Sequence, residues 1–121
     1  MTHFTVARAA ALAAGLMLGA ATASALECPQ PRPHNGRSVI KETPSEIAEL
    51  APVLTGADVS AQVPAIVDGL RKRYPNAHSA ELLNYLITAY CPSVAKAADL
   101  SEAERTARVR AFSKAVFAAL Y

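Results

Sequence analysis

The sequence predicts an all-α protein: a small four-helix domain with a proline-rich N-terminal arm tied across it by one disulfide, Cys28 to Cys91. Three observations predict it. Between Glu81 and Pro92 the apolar side chains Leu82, Leu83, Leu86, Ile87 and Tyr90 recur at the spacing of one broad helix face. Two stretches, Thr43-Pro44-Ser45-Glu46 and Ser101-Glu102-Ala103-Glu104, set a capping hydroxyl three residues ahead of a glutamate, the signature of a helix start. Finally, the chain has two cysteines, one near the end of that apolar helix and one close to the start of the arm. In a small exported chain an even cysteine count reads as a disulfide.

Export is read from residues 1–25. Arg8 and the amino terminus give a short positive region, and residues 9–21 are an unbroken run of Ala, Leu, Gly and Met. Ala23 and Ala25 then supply the small residues that a signal peptidase needs on either side of Ser24. The run is 13 residues long, short of the ~20 that cross a bilayer. The sequence therefore predicts a signal peptide over 1–25, cleavage before Leu26, and a periplasmic or secreted product with no integral membrane segment after processing. A lipid anchor is disfavoured because Glu27, not a small residue, precedes Cys28.

The remaining 96 residues divide into an arm, 26–42, and one helical domain, 43–121. They carry 11 Lys and Arg against 10 Asp and Glu. That near balance gives no long-range pull toward nucleic acid or an anionic membrane, so nucleic acid is excluded as a partner. A domain of this size buries about 60–70% of its unfolded surface, a modest core that a covalent link would support.

In chain order, Pro29, Pro31 and Pro33 fix an extended path, and Asn35-Gly36 marks a turn. Thr43 caps the first helix, with Pro44 at its first position and Ile47, Leu50 and Leu54 on its apolar face. Pro52 kinks that helix or ends it near Ala51, because it lacks the amide that would bond to Ala48. A second helix runs from Ala61 or Pro64 to Tyr74, capped by Ser60 or Asp58, with Val63, Ile66, Val67 and Leu70 facing inward. Gly69 inside it costs roughly 1 kcal/mol unless a neighbouring helix approaches closely there. Asn76 is expected to cap a third helix over residues 77–90, ended or bent at Pro92, which pushes Cys91 out of helical geometry. After a connector with room for one helical turn, the last helix begins at Ser101 and buries Val109, Phe112, Val116, Ala119 and Leu120. Tyr74 and Tyr90 fit core faces, whereas Tyr85 beside Asn84 and Thr88 falls at a rim.

No catalytic constellation is found. Cys91 and His78 lie 13 residues apart on one helix, roughly 20 Å along its axis, too far for a nucleophile and its base. A cystine sulfur is in any case no nucleophile, and no Cys-x-x-Cys pair supports a redox role. His78 and Glu81 stand at i and i+3, and His34 on the arm is a third candidate ligand for zinc or copper. The plainer reading makes Glu81 an acid near a helix N-terminus and His78 a solvated first-turn residue. Arg71, Lys72 and Arg73, with Arg37 and Arg105, are candidates for a basic patch toward an anion or a partner; a solvated helix end is again the plainer reading.

Glu27-Cys28-Pro29, Lys41-Glu42-Thr43-Pro44 and Leu83-Asn84-Tyr85-Leu86-x-x-Ala89-Tyr90-Cys91-Pro92 resemble small exported bacterial helical proteins of unknown function with one disulfide. The resemblance spans residues 26–121 and implies fold and location; it brings no functional residues. In size and class the chain is also similar to small acid-activated periplasmic chaperones. The expectation is a non-enzymatic binding or interaction protein of the periplasm, of a stress or chaperone-like kind, with a protein partner and no cofactor. The alternative is a metal or small-ligand binder using His34, His78 and Glu81.

Overall fold

The computed structural model describes residues 25–31, 39–56 and 58–121. The expected signal peptide, His34 and Arg37 therefore lie outside the described residues, apart from Ala25 at the cleavage point. The described chain is all-helical: α1 (Pro44–Leu50) runs into a single 3-10 turn (Ala51–Leu54), followed by α2 (Val59–Arg73), α3 (Ser79–Ala95) and α4 (Glu102–Leu120). None of these helices is long and apolar enough to cross a membrane.

Both expected capping boxes form. Thr43 Oγ1 accepts from Glu46 N at 3.3 Å and Ser101 Oγ from Glu104 N at 3.2 Å, while each glutamate reaches back to the cap amide. Pro52 acts as anticipated. The α-helix stops at Leu50, and the chain tightens into the 3-10 turn, a shape that tolerates the missing amide. Gly56, at φ 112°, then reverses the chain in a conformation few other residues adopt.

Packing is centred on α3 and α4. The helix α4 lies against both α2 and α3, and α3 also contacts α1 and the 3-10 turn. One core cluster joins Leu50 and Leu54, Val63, Val67 and Leu70 of α2, Leu82, Leu86 and Val94 of α3, and Phe112, Val116 and Leu120 of α4. Tyr90 stacks on Phe112 with ring centroids 4.0 Å apart, an arrangement worth about 1 kcal/mol beyond the area it buries.

The arm crosses this body as expected. The Cys28–Cys91 disulfide is present, with the two Cα atoms 5.5 Å apart and Cys91 fully buried. Further along, Ile40 is buried, its amide donates to Glu81 Oε1 at 2.9 Å, and Asn84 Nδ2 donates to Glu42 Oε1 at 2.7 Å. Cys28 thus meets α3 near its end and Ile40 meets it near its start. Ten residues of helix separate the two contacts, about 15 Å, so the two described ends of the arm meet α3 in reverse order along the helix.

Four expectations are corrected. Helix α2 starts at Val59, ahead of Ala61 or Pro64; Asp58 holds the cap position, but its side chain makes no capping bond. Pro64 sits inside the helix, where it leaves only the carbonyl of exposed Ser60 without a helical donor, within reach of water. Helix α3 starts at Ser79 with His78, not Asn76, at the cap, and it continues through Pro92 to Ala95. Burial of Cys91 and Val94 holds this last turn in place, so packing overrides proline's local preference. The cost falls at Thr88, one turn before Pro92: the Thr88 carbonyl loses its helical donor. Separately, the buried Thr88 Oγ1 has no hydrogen-bond partner among the described residues. Tyr85 is 2% exposed and not at a rim, because α1 closes over that side of α3 and Glu46 O accepts from its hydroxyl at 3.1 Å. No helix packs closely over Gly69, so its cost stands uncompensated.

The staple closes a chain segment with a sequence separation of 63, which stabilises the fold by about 4 kcal/mol in the chain-entropy picture. The double substitution Cys28→Ser with Cys91→Ser is expected to lower the unfolding free energy by about that amount, read by urea denaturation. A loss below about 1 kcal/mol would show that the arm is not held by this bond.

Candidate functional site

The candidate metal ligands are placed apart in role. Glu81 is half-buried in the first turn of α3, and its carboxylate is engaged by the Ile40 amide. His78 is exposed at the cap position, and its side chain makes no capping bond. Among the described residues no group of three His, Cys, Asp or Glu side chains is gathered as a metal would need. Glu81 serves instead to fasten the arm.

The basic run is likewise split. Arg71 Nη2 donates to Leu120 O at 3.0 Å, capping α4. Lys72 pairs with Asp68 one turn back at 2.8 Å, and this hydrogen bond raises its pKa although both groups are exposed. Arg73 reaches Glu49 of α1 at 3.4 Å and lies 5.3 Å above the Tyr74 ring. Successive residues on a helix point about 100° apart, so three neighbouring cations serve three different partners. Arg105 is also taken: its Nε and Nη2 donate to Ala97 O at 3.1 and 2.7 Å, and its Nη1 pairs with Glu102.

A cleft of about 240 Å³ opens at the end of α3 that carries the disulfide. Its apolar wall is Leu54, Val94 and Leu100, and its polar groups come from Tyr90, Ser93, Thr55 and Arg108. Two of these groups are internally spent: Ser93 Oγ donates to Tyr90 O at 2.7 Å and Thr55 Oγ1 to Pro52 O at 2.8 Å. Tyr90 Oη and the Arg108 guanidinium make no hydrogen bond with any described residue. Burial pushes the Tyr90 phenol up from its ordinary pKa, and the positive charge of Arg108 partly offsets that. The cleft thus offers a neutral phenol donor and an exposed guanidinium cation over an apolar floor.

Arg108 was not among the sequence-derived candidates. The available signal was helical spacing: Arg108 lies four residues before Phe112, whose ring stacks on Tyr90. What the spacing alone does not give is that α4 sets this pair beside the 3-10 turn.

Tyr85 is held apart from solvent chemistry. Burial, the largest cause, with the nearby Tyr74 and Glu46, raises its pKa to about 12. An exposed phenol ionises near 10, so the folded state resists losing this proton. The stabilisation is complete below about pH 10 and is lost as pH rises toward about 12. Tyr85 should therefore titrate near pH 12 in an absorbance titration, with Tyr90 also above its ordinary range, and Tyr85→Phe should remove the Tyr85 contribution and flatten the alkaline fall in stability. A step near pH 12 that keeps its full amplitude after Tyr85→Phe would refute the assignment.

Comparison of the chain with protein-family models, with curated proteins and with solved structures returns no match, so its function is read from the arrangement of its own residues.

Proposed function

We propose an exported, non-enzymatic binding protein that takes a small carboxylate with a short apolar tail in the Tyr90–Arg108 cleft. The observation that carries this reading is the Arg108 guanidinium and the Tyr90 hydroxyl, neither hydrogen-bonded to a described residue, above Leu54, Val94 and Leu100, with Glu104 one turn back acting on Arg108 through charge alone. A guanidinium presents parallel N–H donors that match a carboxylate, and the apolar wall suits a hydrocarbon tail. Size limits the ligand. A volume of about 240 Å³ falls below the ~300–1,000 Å³ of drug-sized sites, so a ligand of a few carbons fits better than a peptide. Beside the phenol the cleft lining has no histidine, cysteine or carboxylate, and its Ser93 and Thr55 hydroxyls are already bonded to backbone carbonyls, which favours binding over catalysis. Export through the 1–25 leader to the periplasm or beyond is supported by the disulfide, because such bonds persist in oxidising compartments.

Butyrate, hexanoate and octanoate are the probes. Amide shifts in NMR should concentrate at Tyr90, Val94, Leu100 and Arg108, and Arg108→Ala should weaken binding by roughly tenfold. Shifts that are scattered over the surface, or unchanged by Arg108→Ala, would sink the ligand assignment.

A second reading, chaperone-like capture of unfolded chains, is favoured by Phe117 and Tyr121, which are 55% and 69% exposed with ring centroids 4.6 Å apart. This reading expects ANS fluorescence to rise between about pH 7 and about pH 3 while helical circular dichroism persists. A flat ANS response would exclude acid activation.

A further inference from the structure

Leu26 carries two independent observations that meet on one atom. Its backbone nitrogen donates to Glu102 Oε2 at 3.2 Å. The same nitrogen belongs to the peptide bond after Ala23-Ser24-Ala25, where small residues mark a cleavage site. We infer that processing before Leu26 turns this amide into an α-ammonium that pairs with Glu102, so that the new chain end becomes a fixed part of the fold. The inference rests on the export reading above.

The chemistry balances simply. One water hydrolyses the Ala25–Leu26 amide. The carbonyl carbon leaves on the leader as the Ala25 carboxylate, and the Leu26 nitrogen takes up the protons to become an ammonium. The donor atom stays where it was, but it now bears a full positive charge and three N–H bonds in place of one.

The receiving carboxylate is already positioned. Its other oxygen, Oε1, accepts from Arg105 Nη1, and Arg105 is itself fastened to Ala97 O through Nε and Nη2. The Glu102 and Arg105 side chains are 36% and 18% exposed, so the pair is partly shielded from solvent. Leu26 is equally restrained: its side chain packs against the core, and Cys28, two residues on, is bonded to Cys91. Hydrogen bonds to an ionised donor are about twice as strong as neutral ones. Opposing this, the Arg105 guanidinium shares the carboxylate and the α4 N-terminus adds positive dipole. The other charges on the adjoining elements are Glu104, Arg108, Arg110 and Lys114 on α4, Glu27, Arg32, Arg37, Lys41 and Glu42 on the arm, and Lys96 and Asp99 on the connector. The direct contact with Glu102 decides the sign, because it is the closest charge and one already oriented.

The test uses the full chain exported into a bacterial periplasm. Intact mass should give a product that begins at Leu26. Its α-amine should titrate above the ordinary value of about 8, and Glu102→Gln should bring it back down. Carbamylating the α-amine keeps an N–H donor at Leu26 and removes the charge. Glu102→Gln should therefore reduce the folding equilibrium constant roughly three- to fivefold more in the free-amine protein than in the carbamylated one, the size expected of a partly exposed pair. Equal losses in both forms would overturn the pairing, as would a wild-type amine titrating at or below its ordinary value, a measurement that does not need the variant to fold. A product beginning elsewhere would overturn both the cleavage site and the pairing. A product beginning at Leu26 with an uncoupled amine would overturn the pairing alone and leave export standing.

Discussion

The bond between Cys28 and Cys91 is built into the interior of this protein. Cys91 is fully buried on α3, flanked by Tyr90 and Val94, which belong to the same core as α4. Closing the chain there stabilises the fold by about 4 kcal/mol, against a net stability of about 5–15 kcal/mol for an ordinary domain. A single covalent constraint therefore accounts for a large share of what keeps α3 and the arm together. It also explains how Pro92 is accommodated. With Cys91 locked one residue earlier and Val94 buried two residues later, the helix has little freedom to stop where proline would end it.

Charged side chains in this chain act mainly on backbone, not on each other. Glu81 receives the Ile40 amide, Glu102 receives that of Leu26, Arg71 caps the carbonyl of Leu120, and Arg105 clasps that of Ala97. Each contact fastens the end of one element to the body of another. The exposed pairs Lys72–Asp68 and Arg73–Glu49 add little by comparison, since surface ion pairs contribute about 0–1 kcal/mol. Several of the charges in this near-neutral chain thus fix termini, while Arg108 stands at the mouth of the cleft.

Much of the fold was legible because local rules and packing agree. The capping boxes at Thr43 and Ser101 and the break at Pro52 follow from short-range chemistry that the folded state leaves intact, and the Cys28–Cys91 link from there being two cysteines to pair. Where the two conflict, packing wins. Pro64 and Pro92 lie inside helices because Val63, Val67, Cys91 and Val94 are buried around them. Tyr85 reads as a rim residue from its polar neighbours, yet α3 is covered by α1 and the 3-10 turn as well as α4, so its buried arc is wider than one stripe. The cleft was not legible at all. It depends on Leu54, Tyr90, Leu100 and Arg108, drawn from four separate places in the chain, and periodicity reports only neighbours along one helix.

The cystine has a chemical corollary beyond mechanics. Both methionines of the chain, Met1 and Met17, precede residue 25, and no tryptophan occurs anywhere. Residues 25–121 consequently hold no reduced sulfur: two atoms, already joined to one another, with Cys91 buried on α3 and Cys28 half-buried. Peroxide or hypochlorite, which attack thiols and thioethers first, would find neither in this body, and its packing should survive oxidant doses that roughen methionine-rich cores.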